Sequence, residues 1–245
     1  MKIVSLIPAR GGSKEIPDKN IVNLNGKPLI YYTIQASKNS SIDETWVSTN
    51  SSKISVISEG YGANIIKRPN DISKDDSKSE EALIHFAERV DFDIIVFIQA
   101  TSPLLTPKYI NLGLEMMKKY DSVFSVTREH WIPRWNKKHE PDGWDIQKRP
   151  MRQDVEHKFL ENGAFYMTTK NSLLKSKLRY SGRIGMVEMP YHLSFQVDSH
   201  DDLKLMEKLF NGILTEKSSW NNPFVNAEYI FKNNLTIEVI LHYLY

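Results

Sequence analysis

Two apolar periods alternate along this chain. Short runs at residues 3–7, 44–49, 63–67, 93–99 and 122–127 have the length and side-chain content of strands. Between them, apolar positions recur every three to four residues. Residues 28–38 open on a proline, a common helix start. Residues 51–61 place Ile54, Ile57 and Ser58 on one helical face. Residues 77–90 do the same with Ala82, Leu83, Phe86, Ala87 and Val90, and residues 107–119 read as a further helix. The run D-I-I-V-F-I-Q at 93–99 is apolar almost throughout, as a central strand covered on both faces must be. This rhythm predicts an α/β fold on a mainly parallel, doubly wound sheet. Ligands on such sheets bind at the carboxyl ends of the strands. Arg10 and Gln99 both stand at strand ends and therefore share one rim.

From about residue 129 to 161 the rhythm breaks. His130-Trp131, Pro133-Arg134-Trp135 and E-P-D-G-W at 140–144 predict an irregular, aromatic insert. Its core is too small to stand alone, so a second subunit is the expected packing partner. Strands resume at 163–168 and 185–190, and a helix at 200–210. The last segment, 211–245, carries Trp220, Phe224, Tyr229, Phe231 and an apolar stretch from 235. It reads as a packing helix, a dimer contact or a docking segment.

Composition narrows the function classes. The 245 residues suit one sizeable α/β domain. A net charge of +2, with 25% charged residues, gives no basic excess for general nucleic-acid binding. There is no cysteine, which excludes disulfides and thiolate metal sites and fits a reducing compartment. The opening apolar run, about five residues, is too short for a signal peptide. No run approaches the ~18 apolar residues of a membrane span. A soluble, cytoplasmic protein is expected. The seven histidines show no zinc spacing, and no Gly-x-Ser-x-Gly context supports a hydrolase triad.

The candidate chemistry begins where the first strand ends. Arg10-Gly11-Gly12-Ser13-Lys14, then Pro17, Lys19 and Asn20, form a small cationic loop. Glycine N–H groups can line a phosphate while Arg10, Lys14 and Lys19 supply charge. The loop matches neither the Walker A pattern nor the dinucleotide-binding glycine fingerprint. Further along come Lys67-Arg68-Pro69 with Ser77 and Ser79, then Q-A-T-S-P-L at 99–104. R-P-M-R-Q-D at 149–154 precedes E-N-G-A-F-Y at 161–166, and H-L-S-F-Q-V-D stands at 192–198. On residue type alone, Arg68, Arg149 and Arg152 are equally surface charges, Ser79 a helix-start residue and Asn20 a turn residue.

Taken together, these blocks resemble the acylneuraminate cytidylyltransferases, the CMP-sialic acid synthetases, over roughly residues 1–210. The resemblance implies a Rossmann-like nucleotide-diphospho-sugar transferase fold. It implies a cytidylyltransferase domain at 1–210, with a dimerisation and acceptor-binding insert at about 129–190, and an extension at 211–245. It implies transfer of CMP from CTP to the anomeric hydroxyl of a 2-keto sugar acid, with release of pyrophosphate. The catalytic residues would be Arg10, Lys14, Lys19 and Asp198. The nucleotide would lie on Ala9, Arg10, Gly11, Gly12, Ser13, Asn20, Arg68 and Ser79. The acceptor would meet Gln99, Thr101, Ser102, Arg149, Arg152, Gln153 and Asn162. Two alternating acids on a strand hold Mg²⁺ (or Mn²⁺) in the family. Here Gln196 and Asp198 occupy those positions, so the metal loses one negative ligand. Glu15 replaces a small residue, and Leu105 an arginine. These departures leave room for another acceptor, such as Kdo, a sugar phosphate or a phosphonate, or for a silent nucleotide-binding homologue. The resemblance also implies a homodimer, with CTP and the acid as partners.

Overall fold

The computed structural model describes residues 1–129 and 131–219, with side chains through Phe210. In chain order come β1 (Ile3–Pro8), β2 (Asn23–Leu24), β3 (Lys27–Pro28), α1 (Leu29–Lys38), β4 (Glu44–Thr49) and α2 (Ser52–Gly60). Then follow β5 (Asn64–Lys67), α3 (Ser79–Ala87), β6 (Ile94–Ile98), α4 (Pro107–Met116) and β7 (Ser122–Glu129). The remainder is β8 (Arg134–Trp135), β9 (Pro141–Asp142), β10 (Lys158–Thr169), α5 (Lys170–Ser176), β11 (Ile184–Met189) and α6 (His200–Ser219). The helix at 200–210 thus continues into the expected extension. The aromatic residues from Trp220 onward, and His130, lie outside the described residues.

Seven strands form one sheet in the order β11-β7-β10-β6-β1-β4-β5. β1 pairs in parallel with β4 and β6, β4 with β5, and β7 with β11. The sheet is therefore mainly parallel, with β10 antiparallel between β6 and β7. The chain moves outward from β1 to β5 and then returns to β6 on the other side of β1. That reversal opens a crevice above β1 and β6, where such sheets hold ligands.

β6 shows why the strand is apolar on every residue. Ile94, Val96 and Ile98 enter one core with residues of α1, α2, α4 and α6, among them Ile34, Ile54, Ile110 and Phe210. Ile95 and Phe97 enter the other core with Phe86 of α3 and Leu173 of α5. Successive side chains point to opposite faces, so a strand between two helical layers needs apolar residues at both parities. Some polar groups buried beside β1 are paired: the Ser37 hydroxyl bonds those of Ser5 at 2.7 Å and Thr45 at 2.6 Å.

The insert is partly sheet. β7 and β10 run on together beyond the core, pairing Lys158 with Glu129 and Glu161 with Val126 before a bulge shifts the register. Residues 158–161 are all exposed, so no buried-face alternation marks this half of β10 in the sequence. Beyond it, Trp144 meets Trp131 and Trp135 edge-to-face at 6.4 and 5.2 Å, a small aromatic knot.

Phe86 is fully buried, with its ring 5.6 Å from those of Trp46 and Phe92. Phe86→Ala should lower the unfolding free energy by about 3–5 kcal/mol, read by urea denaturation. A loss below 1 kcal/mol would show that this layer collapses onto the gap.

Candidate active site

The segment after β1 is shaped by a few backbone demands. Ala9 is buried, and its N–H still bonds Ser48 O at 2.9 Å, continuing the sheet. Gly12 has φ of 76°, where a side chain would strain the backbone. The Gly11 N–H donates to Asn50 Oδ1 at 2.9 Å, so it is committed to Asn50 rather than free to line a phosphate, as the sequence suggested. Asn20 is buried, and its side-chain amide donates to Arg10 O at 3.0 Å, tying the end of the loop to its start.

A cavity of about 520 Å³ opens above β1 and β6. Arg10, Ser13, Lys14, Lys19, Asn20, Arg68, Ser79, Gln99, Thr101 and Asp198 line it. Glu15 lines it as well, and so do Lys74, Asp75, Ser77 and Lys78 from the segment between β5 and α3. Arg10 Nη2 lies 2.6 Å from Asp75 Oδ1, and Lys14 Nζ 2.5 Å from Asp75 Oδ2. Lys14 foremost, and Arg10 with it, hold the Asp75 carboxyl below the usual carboxylate range. Lys19 Nζ sits 2.8 Å from Asp198 Oδ1.

Arg68 differs from the other cations. Its side chain is buried, and among the described residues Nε and Nη2 have no hydrogen-bond partner. Burial first, and the nearby Arg10 second, push its guanidinium down to about 10. An unpartnered buried guanidinium is costly, and an anion at the cavity wall is the natural remedy.

Gln99 and Thr101 line the cavity with neutral groups, and a set of amides packs behind them. The Gln196 side-chain amide donates to Asn162 O, and the Thr101 hydroxyl donates to Gln196 Oε1 at 3.4 Å. Gly163, with φ of 72°, sits against this pair; a Cβ there would lie 2.5 Å from Gln196 Nε2 and 3.3 Å from that of Gln99. Residues 196–198 form an irregular segment rather than the strand expected from the alternating pattern. The Asp202 carboxylate fixes this segment by accepting from the N–H groups of Asp198 at 3.1 Å and Ser199 at 2.8 Å at the start of α6.

Several sequence candidates stand elsewhere. Ser102 is buried with its hydroxyl unpartnered, away from the cavity wall. Asn162 is buried in the β10 bulge, where its Oδ1 accepts from the Ser125 hydroxyl at 2.6 Å and from Ala164 N–H at 3.1 Å. Arg149 lies over the Trp144 ring at 5.8 Å. Arg149, Arg152 and Gln153 are exposed on the insert and do not line this cavity. Sequence reasoning missed Asn50 and Asp75. Asn50 follows the carboxyl end of β4, a position that the strand-end rule could have flagged. Asp75 lies in a run of mixed charges, K-D-D, that carries no comparable signal.

Among the described residues, no three histidine or acidic side chains are grouped to hold a metal. One exposed carboxylate, Asp198, fits Mg²⁺ that takes its remaining ligands from phosphate and water. Gln196 fits less well, since both ends of its amide are already engaged.

A family model described as cytidylyltransferase matches residues 4–217. The chain belongs to the cytidylyltransferase family. It is 39% identical over 214 residues to N-acylneuraminate cytidylyltransferase B of Danio rerio, covering 83% of this chain and 50% of that one. It is 31% identical over 213 residues to N-acylneuraminate cytidylyltransferase of Streptococcus agalactiae, covering 82% of this chain and 52% of that one. The chain thus spans about half the length of these curated relatives. CMP-N,N'-diacetyllegionaminic acid synthase of Legionella pneumophila is 33% identical over 224 residues, with 85% of this chain and 96% of that one covered. Among solved structures, CMP:2-keto-3-deoxy-manno-octonic acid synthetase complexed with CTP superposes with a TM-score of 0.67 at 18% identity. That match covers 86% of this chain and 99% of the other, and it supports the Rossmann-like fold.

Arg68→Met provides a test of the site's electrostatics. It should stabilise the fold by about 1–3 kcal/mol, by removing buried donors without partners, while weakening polyphosphate binding. Urea denaturation and calorimetric titration with pyrophosphate read the two effects. A destabilised variant would mean that Arg68 is already satisfied.

Proposed function

We propose that this protein transfers CMP from CTP to the anomeric hydroxyl of a nonulosonic, sialic-type 2-keto sugar acid and releases pyrophosphate. The observation that carries the reading is the cavity wall itself. Arg10, Lys14 and Lys19 converge there with the unpartnered guanidinium of Arg68, an arrangement suited to a polyphosphate. Gln99 and Thr101 line the same cavity with neutral donors and acceptors suited to sugar hydroxyls. The names of the relatives, for N-acylneuraminate and diacetyllegionaminic acid, support a sialic-type acceptor.

In this mechanism the sugar hydroxyl attacks the α-phosphorus in line. A new P–O bond forms, the bond to the β-phosphate oxygen breaks, and the hydroxyl proton passes to water. Arg10, Lys14 and Lys19 offset the charge that grows on the phosphoryl oxygens and the leaving pyrophosphate. No covalent intermediate on the protein is needed, because positioning and charge do most of such a transfer. Asp198 would hold Mg²⁺ or Mn²⁺ together with phosphate oxygens, and the ion would supply further charge neutralisation.

Two coarser features belong to the same reading. Trp135, Ile146, Met151, Phe159 and Leu160 are exposed on the insert and on the β10 arm that carries it, which supports a homodimer built through this face. In such a dimer the insert of one copy would carry Arg149, Arg152 and Gln153 to the pocket of the other, where the guanidinium fork suits a carboxylate. Among the described residues no helix is long and apolar enough to cross a membrane; a cytoplasmic location is part of the proposal.

Pyrophosphate release should be measured with CTP and Mg²⁺ against sialic, legionaminic, pseudaminic and Kdo-type acids and several sugar phosphates. Release is expected with a sialic-type acid. Release only with a sugar phosphate, or silence with every acceptor despite CTP binding, would overturn the reading. Lys19→Met should lower kcat by about 10²–10³-fold, the usual loss for one charge-stabilising donor.

A further inference from the structure

Asp75 has no place in the mechanism above, although it touches two of its central cations. One carboxylate oxygen meets Arg10 at 2.6 Å and the other meets Lys14 at 2.5 Å. We propose that Asp75 is an internal counter-ion of the phosphate loop, displaced by the nucleotide's phosphates, and that it moderates the pocket's hold on phosphates so that product can leave. This inference rests on the nucleotide reading of the cavity.

The charges carry the argument. Arg10, Lys14, Lys19 and Arg68 all line one cavity. Asp75 neutralises part of the first two, and Asp198 faces the third. Among the described residues, Arg68 alone of the four has no carboxylate partner. A weakly charged ligand would have to exchange its own contacts for ion pairs that already exist, and would gain little. A triphosphate or pyrophosphate brings enough charge to engage Arg68 and also to win Arg10 and Lys14. When the pyrophosphate departs, the carboxylate is at hand to take those cations back, which favours product release.

The local backbone permits the exchange. Residues 69–78 are fastened independently of Asp75: Arg68 N–H bonds Thr49 O at 2.8 Å, and the Ser73 hydroxyl bonds Pro69 O at 2.7 Å. Lys74 N–H bonds the Ser77 hydroxyl at 3.0 Å, and the Asn50 amide reaches Asn70 at 3.2 Å. The Asp75 side chain is 39% exposed, so it can turn to solvent without unfolding the segment. The rival role is positioning, in which Asp75 holds Arg10 and Lys14 in place for the phosphates. The two roles predict opposite signs on removal.

The experiment is calorimetric titration of CTP, pyrophosphate and cytidine into the wild type, Asp75→Asn and Asp76→Asn, with Asp75→Ser as a second variant. Asp75→Asn should bind CTP and pyrophosphate about three- to tenfold tighter at low salt, as expected for two partly exposed ion pairs. The gain should shrink as salt rises. Cytidine affinity should stay within twofold. Asp76→Asn removes the same charge one residue away and should change binding by less than twofold. Weaker or unchanged phosphate binding in both Asp75 variants, or an equal gain in Asp76→Asn, would overturn the counter-ion role. A wild type that binds neither CTP nor pyrophosphate would instead overturn the nucleotide reading itself.

Discussion

Like charges held together at the mouth of a crevice are the constraint on which the rest of this structure depends. Arg10, Lys14, Lys19 and Arg68 would repel one another in any compact arrangement, and Arg68 is buried as well. The fold holds them there through features that do not themselves reach into the chemistry. β1 and β6 supply a rim at which the sheet order reverses. Asn50 pins the Gly11 N–H, and Asn20 ties back to the Arg10 carbonyl. Asp75 and Asp198 lower the cost of the remaining charge by facing it with carboxylates. The apolar layers on both faces of the sheet make this rim rigid enough to hold an unfavourable electrostatic arrangement.

The surroundings of Gln99 and Thr101 follow a different logic. They are closed by amides and hydroxyls rather than charges, and they depend on a glycine. At Gly163 the backbone takes a positive φ inside the β10 bulge, and the absence of a Cβ lets the amides of Gln196 and Gln99 approach. Gln196 can donate to the Asn162 carbonyl because it is an amide; a carboxylate there would meet that carbonyl oxygen with like partial charge. The Gln196 amide therefore joins the 194–198 segment to the bulge of β10. The cations and the neutral side chains of Gln99 and Thr101 thus share one cavity of about 520 Å³.

Much of this architecture was legible in the chain. β4 runs over Glu44–Thr49, the residues that its pattern marked, and β6 follows the apolar run at 93–99. These elements were readable because each buries a face, or both faces, against the core, and burial imposes a local period. The first residues of β10 were not readable, because residues 158–161 pair with β7 but are exposed. The glycines and cations after β1 pointed to a phosphate loop, although the Gly11 N–H proved to serve Asn50. Ser102 and Asn162, from two of the blocks that resemble a family's, are buried and do not line the cavity.

By itself, then, the sequence determined the order and type of most elements, the doubly wound class and the strand ends at which Arg10 and Gln99 stand. These follow from periodicity and from local backbone chemistry, both of which act over a few residues. Only the tertiary structure decided that β10 enters antiparallel between β6 and β7, that Asp75 crosses to Arg10 and Lys14, and that Arg68 is buried without a partner. Each of those depends on how residues far apart in the chain pack together. No local period encodes such contacts, because they arise when separate elements pack and their exposed charges and unpaired donors must be matched in space.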